Sequence, residues 1–138
     1  MNETAFAMLG GEHRVRLLVD RFYNIMGTDP QAAAIRALHP PDLQRPRERL
    51  HDFLCGWLGG PPHYEQKYGH PRLRARHLPF AIGKSERDQW IYCMARALAD
   101  LNVDAGLHER LTAAFFRTAD FMRNREEDGA AAPGHDRP

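Results

Sequence analysis

The chain has 138 residues, with 19 Lys and Arg against 18 Asp and Glu and a formal charge of +1. That length suits one domain with its own core and no need of disulfide staples, and the near-neutral charge excludes a general attraction to nucleic acid or anionic lipid. No apolar run approaches the ~20 residues that span a bilayer and no basic-then-apolar leader opens the chain, so the expectation is a soluble cytoplasmic protein.

Taken in order, the segments repeat apolar residues at helical spacing and none alternates as a strand does, so the chain reads as all-α. Residues 12 to 27 place Val15, Leu18, Val19, Phe22, Ile25 and Met26 on one stripe, with Gly27 at its end and Asp29-Pro30 opening a short helix, "PQAAAIRAL". That helix stops at His39-Pro40-Pro41. Pro46 is expected to start "PRERLHDFLCGWL", whose Leu50, Phe53, Leu54, Trp57 and Leu58 share a face until Gly59-Gly60-Pro61-Pro62. Residues 59 to 83 then hold four of the ten prolines and four glycines, an irregular stretch that something must anchor.

Ser85 with Asp88 matches a capping box ahead of a helix whose inward face is Trp90, Ile91, Met94, Leu98 and Leu101. Asp104 is the expected cap of the last helix, along which Leu107, Leu111, Phe115, Thr118 and Met122 follow at helical steps. These segments form a domain over residues 1–124, and 125–138, without large apolar residues, reads as a mobile polar tail. Cys55 and Cys93 lie in apolar segments outside any CxxC pair and read as buried thiols in a reducing compartment.

The chemistry concentrates in "HPRLRARHLPFAIG", residues 70 to 83. Read as a helix, it puts Leu73, His77 and Phe80 on one face and turns Arg72 and Arg76 elsewhere, with Pro79 ending it near Leu78. On spacing alone, a core histidine bonded to a carbonyl is the better reading of His77. The histidines and cysteines show no tight zinc spacing, Cys55, His63 and His70 being too loosely arranged, and three arginines are too few for a nucleic-acid patch. Haem would use all the pieces, since it needs one imidazole, an apolar slot and cations at its propionate edge.

"RLLVDRFYNIM", "RLHDFLCGWLGGPPHY", "GHPRLRARHLPFAIG" and "ERDQWIYCM" together resemble, in order and spacing, the signatures of the group II truncated haemoglobins. The resemblance spans about residues 4 to 124, and its most specific element is the histidine motif followed 13 residues later by Trp90. It implies a globin-like two-over-two helical sandwich enclosing haem b, with His77 as the axial ligand of the iron and its other ring nitrogen donating to a main-chain carbonyl. It further implies ligand-stabilising roles on the opposite face for Tyr23, His39 and Trp90, which without it would be two core aromatics and a helix C-terminal residue.

By the same resemblance Leu50, Phe53 and Leu54 form the wall above the haem, Leu73, Phe80 and Met94 add to the pocket, and Arg49, Tyr64 and Arg76 meet the propionates. Arg72 and Arg74 are assigned to holding the irregular stretch by bonding carbonyls, because a guanidinium offers five donors. Pro46 offers neither a side-chain gate nor a hydrogen bond. His39 can ionise near neutral pH and so makes ligand affinity pH-dependent, and "CGWLGG" departs from the usual pair of adjacent aromatics.

A phenol, an indole and an imidazole aimed at a partly anionic diatomic ligand contribute about 1.5 to 3 kcal/mol each. Slow release of dioxygen then argues against transport and for redox or detoxifying turnover, peroxidase-like or acting on nitric oxide, which needs an electron donor outside the chain. A gas sensor acting through a partner protein is the alternative, and a haem-free helical interaction module the weaker one. A monomer or a homodimer is compatible with these readings.

Overall fold

A computed structural model describes residues 4–125, and these are all-helical. The elements are α1 (Ala5–Leu9), α2 (Glu12–Thr28), a 3-10 turn (Pro30–Ala32) leading into α3 (Ala33–Ala37), α4 (Gln44–Trp57), α5 (His63–Tyr68), α6 (Leu73–His77), α7 (Lys84–Asp100) and α8 (Ala105–Phe121). The most extensive packing joins α7 to α8, α2 to α7 and α2 to α4. Two helix pairs, α2 with α4 and α7 with α8, therefore lie one over the other, the two-over-two sandwich anticipated from the sequence.

The core sits where the apolar stripes meet. Leu18, Phe22 and Met26 of α2, Leu54 of α4 and Met94 and Leu98 of α7 are among the fully buried side chains, each contributing about 1.5–3 kcal/mol on leaving water. Hydrogen bonds tie the layers at their ends. Arg14 of α2 donates to the Leu101 carbonyl at 2.7 Å, satisfying an acceptor that the end of α7 leaves open. Arg47 of α4 reaches Asp20 at 3.2 Å and Asn24 at 2.9 Å on α2.

The chain breaks where local chemistry requires it. Asp29 caps the 3-10 turn by accepting the Gln31 N–H at 2.9 Å and also binds Arg96 of α7 at 2.8 Å. Gly60 donates to the Cys55 carbonyl at 2.7 Å, and a Cβ there would meet the Phe6 ring at 2.6 Å, so only glycine lets α1 approach the end of α4. Asp104 accepts the Leu107 N–H at 3.2 Å, as expected of the α8 cap.

Two helix starts differ from expectation. α4 begins at Gln44 rather than Pro46, because a proline in the first turn lacks only an N–H that would have no intrahelical partner. The start of α7 is held not by a Ser85–Asp88 box but by half of one, two residues earlier, where the Glu86 carboxylate accepts the Gly83 N–H at 2.8 Å and glycine has no side chain to complete the pair. Asp88 instead pairs with Arg87 at 2.9 Å.

Residues 59 to 83, expected as irregular, contain α5 and α6, two helices too short for a recognisable period. α5 is tied by His63 to Glu12 at 3.2 Å and by Lys67 to Asp52 at 2.9 Å, and α6 with the loop after it chiefly by Asn124. Its Oδ1 accepts the Ile82 N–H at 2.9 Å, its Nδ2 donates to the carbonyls of Phe80 at 2.8 Å and His77 at 3.3 Å, and its own N–H donates to the Ile82 carbonyl at 2.8 Å. Arg125, expected as the first residue of the tail, also donates its N–H to Ile82. Residues 126–138 of that tail lie outside the described residues. Cys55 and Cys93 are free and buried, and loss of hydration pushes both thiols up to about 11.

Candidate functional site

Between the two helix pairs lies a cavity of about 400 Å³, floored by α6 and walled by α2, α4, α7 and α8. Tyr23, His39, Trp90, His77, Arg49, Leu50, Phe53, Leu54, Tyr64, Leu73, Arg76 and Phe80 all border it. Met94 does not. It is 1% exposed within the core, one turn further along the face of α7 that carries Trp90 and past the end of the cavity.

His77 stands at the last residue of α6, and its Nδ1 bonds the Leu73 carbonyl one turn back at 2.6 Å. A carbonyl only accepts, so Nδ1 carries the hydrogen and Nε2 keeps its lone pair. The ring is thereby fixed in the tautomer a metal ligand requires. Asn124 holds the carbonyl of the same residue, so the site's floor is tied to the end of α8.

Tyr23 projects from α2, 5% exposed, edge-on to Phe22 with centroids at 4.9 Å and to His39 at 5.8 Å. Burial pushes its phenol well above its ordinary value of 10, partly offset by Arg47, so the hydroxyl stays a neutral donor. Trp90, on α7, packs against Phe22 at 5.0 Å and Phe115 at 5.5 Å. Neither the Tyr23 hydroxyl nor the Trp90 indole has a hydrogen-bond partner among the described residues.

His39 behaves differently from expectation. Its Nδ1 lies 2.9 Å from the Ile35 carbonyl, so the neutral ring has its hydrogen there and presents Nε2 as an acceptor rather than a donor. Its pKa is lowered below 6.5, first by burial and also by the positive charge of Arg36, against the raising effect of the Ile35 bond. At neutral pH the ring is uncharged.

At the mouth, Arg49 stacks on Tyr68 at 4.9 Å, while its buried Nε has no partner. A buried guanidinium nitrogen without an acceptor calls for an anionic group not supplied by the chain. Tyr64, expected at the propionates, is 8% exposed against Phe53. Arg76 borders the cavity but gives its Nε to the Pro71 carbonyl at 2.8 Å. Arg74 is the anchor expected, bonding the Arg123 carbonyl at 3.0 Å. Arg72 is not: its guanidinium binds no carbonyl among the described residues, and it contributes through a left-handed backbone (φ 49°) that starts α6.

Sequence reasoning did not single out Ile82, Glu86 or Arg87 as cavity residues. Arg87 is held by Asp120 at 2.8 Å and covers Phe116 at 4.7 Å, a position fixed only by the approach of α7 and α8. Asn124 carried one faint signal, an amide just beyond the last apolar residue of a helix.

An apolar cavity between two helix pairs, one imidazole presenting Nε2 from the floor, two unpartnered donors on the walls and an unpaired guanidinium at the mouth fit haem in each part. This is the arrangement of a globin-type haem protein. A profile of the family described as bacterial-like globin matches residues 4–124. The group 2 truncated hemoglobin YjbI of Bacillus subtilis is 37% identical over 117 residues, 85% of this chain and 86% of that protein.

Among solved structures, the group II 2-on-2 hemoglobin of Agrobacterium tumefaciens superposes with a TM-score of 0.87 at 44% identity, covering 91% of this chain and 97% of that one. The cold-adapted truncated hemoglobin of Pseudoalteromonas haloplanktis gives 0.86 at 42% identity, covering 89% and 99%. The chain belongs to the bacterial-like globins, in their group II truncated haemoglobin branch, and its cofactor is haem.

Proposed function

We propose that the protein binds dioxygen and related small ligands at haem b held by His77, and that it turns over peroxide or reactive nitrogen species rather than transporting oxygen. The observation that carries this reading is the pair of unpartnered donors, the Tyr23 hydroxyl and the Trp90 indole, lining the same cavity as His77. When bound, haem supplies a redox-active iron whose diatomic ligands gain partial negative charge.

The residues act on that charge. Tyr23 and Trp90 each donate a hydrogen bond worth about 1.5–3 kcal/mol to an anionic acceptor, more than a carrier needs. His39, neutral with a bare Nε2, receives a proton from an incoming peroxide, the step a general base performs. Leu50, Phe53 and Leu54 exclude water and so strengthen these bonds. Arg49 holds the propionate edge through its otherwise unpaired Nε, with Tyr64 and Arg76 beside it. The electron donor is a separate protein or small reductant.

Stopped-flow measurement of oxygen release tests the reading. Tyr23→Phe is expected to speed release by about 10- to 100-fold, from one lost charge-assisted bond, and to slow peroxide turnover. Fast release from the unmodified protein, unchanged in the variant, contradicts it.

A further inference from the structure

On the outer side of α4, facing away from the haem cavity, three metal-ligating side chains converge. Glu12 starts α2, and His51 and Cys55 stand one turn apart on α4. One ligand atom from each, a carboxylate oxygen, a ring nitrogen and the sulfur, lies within 4.8 Å of both others. His51 Nε2 is 3.6 Å from Cys55 Sγ and 3.8 Å from Glu12 Oε2.

With metal–nitrogen and metal–oxygen bonds of about 2.0–2.1 Å and a metal–sulfur bond of about 2.3 Å, a tetrahedral zinc ion separates its ligands by roughly 3.3–3.6 Å. At the two distances given the cluster needs movements of only a few tenths of an ångström, and the half-exposed Glu12 side chain closes the third, which is at most 4.8 Å, by up to about 1.3 Å.

The surroundings point the same way. His51 is 4% exposed, yet its Nδ1 is buried without a hydrogen-bond partner. The nearest acceptor is Asp52 Oδ1 at 3.5 Å, on a carboxylate that is 2% exposed and held through its other oxygen by Lys67 at 2.9 Å. A metal on Nε2 fixes the hydrogen on Nδ1, directed at Asp52, which is the carboxylate–histidine–metal relay that orients ligating histidines. His63 Nε2, 3.2 Å from Glu12 Oε1, holds the other oxygen of the Glu12 carboxylate.

We infer that Glu12, His51 and Cys55 form a site for a single divalent zinc-class cation, separate from the haem, with Asp52 and His63 positioning the ligands. The mixed sulfur, nitrogen and oxygen set suits zinc rather than magnesium or calcium, which take oxygen ligands. On binding, the Cys55 thiol gives its proton to solvent, and the thiolate and the Glu12 carboxylate together neutralise the dication. Three protein ligands leave the fourth position to water, and half-exposed Glu12 provides the way in.

The test uses the haem-loaded full chain, dialysed against micromolar zinc, desalted, and assayed for zinc and iron by mass spectrometry. About one zinc per iron is expected. His51→Gln and Cys55→Ala are expected to weaken zinc binding at least 100-fold, and Asp52→Asn by roughly 10-fold, with the Soret band and oxygen release of the variants unchanged.

Should the buried variants fail to fold, Glu12→Gln, at a half-exposed position, decides. Zinc should raise the melting temperature of the unmodified protein and that rise should vanish in Glu12→Gln, while magnesium has no effect on either. No retained zinc in the unmodified protein overturns the inference, as does zinc bound equally well by the variants that fold.

Discussion

Removing the Asn124 side chain tests how the end of α8 supports the floor of the haem site. Asn124→Ala deletes three hydrogen bonds to the 77–82 segment, those to the Ile82 N–H at 2.9 Å and to the carbonyls of Phe80 at 2.8 Å and His77 at 3.3 Å, besides an exposed one from Arg125 at 3.4 Å. A hydrogen bond is worth about 0.5–1.5 kcal/mol net, and a buried group left orphaned costs more. Ile82 is only 7% exposed, so its N–H finds no easy replacement, whereas Phe80, 43% exposed, lets water reach its carbonyl.

The sum is about 2–3 kcal/mol, or a fall in melting temperature of roughly 6–12 °C for a domain of this size. Because His77 belongs to the segment so loosened, haem transfer to excess apomyoglobin should also speed up, by about tenfold if 1.4 kcal/mol of the loss is felt there. Asn124→Asp should be worse than alanine, since it keeps the acceptor for Ile82 but sets a carboxylate against two carbonyls. A variant within about 0.5 kcal/mol of the parent, or one destabilised with haem transfer unchanged, refutes the reasoning.

Arg49→Leu should act in opposite directions on the two forms of the protein: without haem it removes a buried unpaired donor that costs about 1–3 kcal/mol, so the apoprotein gains stability, while haem loss from the loaded protein becomes roughly tenfold faster. Comparing urea denaturation of the apoprotein with haem transfer from the loaded form checks both signs, and a loss in both would mean that Arg49 serves packing alone. For His39, whose folded pKa lies below 6.5, the oxygen release rate should stay flat above about pH 7 and slow only on the acid side, where protonation turns Nε2 into a donor. The unfolded chain takes up that proton first, so stability falls as pH drops below 6.5, and His39→Phe should remove both effects.

Legibility followed the range of the interactions. Leu50, Phe53 and Leu54 were readable as one wall because i, i+3 and i+4 residues share a helix face regardless of what packs on it. Met94 was assigned to the pocket by the resemblance and lies in the core, because periodicity gives the face of α7 but not how far along it the cavity extends. The carbonyl that fixes His77 belongs to Leu73, one turn back, yet whether a histidine bonds inward to its own helix or outward to another depends on a rotamer no pattern reveals. Arg72, Arg74 and Arg76 alternate in sequence, but Arg76 finds its partner in Pro71, Arg74 at the end of α8 and Arg72 no carbonyl among the described residues, and it is Arg74 with Asn124, 47 residues beyond His77, that joins that end to the motif.

The same periodicity that made one face of α4 readable concealed the other. Leu50, Phe53, Leu54 and Trp57 form a stripe toward the haem cavity, and His51, Asp52 and Cys55 occupy the complementary angles. Between them stands one helix backbone, so the haem wall and the candidate zinc ligands share a rigid support. The outer face carries polar and sulfur-bearing residues because α2 and α5 cover it with Glu12, His63 and Lys67. In sequence Glu12 is 39 residues before His51, a separation at which no ligand spacing is visible. A histidine and a cysteine four apart become a metal anchor only when folding delivers the third ligand, and here α2, packed on α4 to bury Leu18 and Phe22, delivers it.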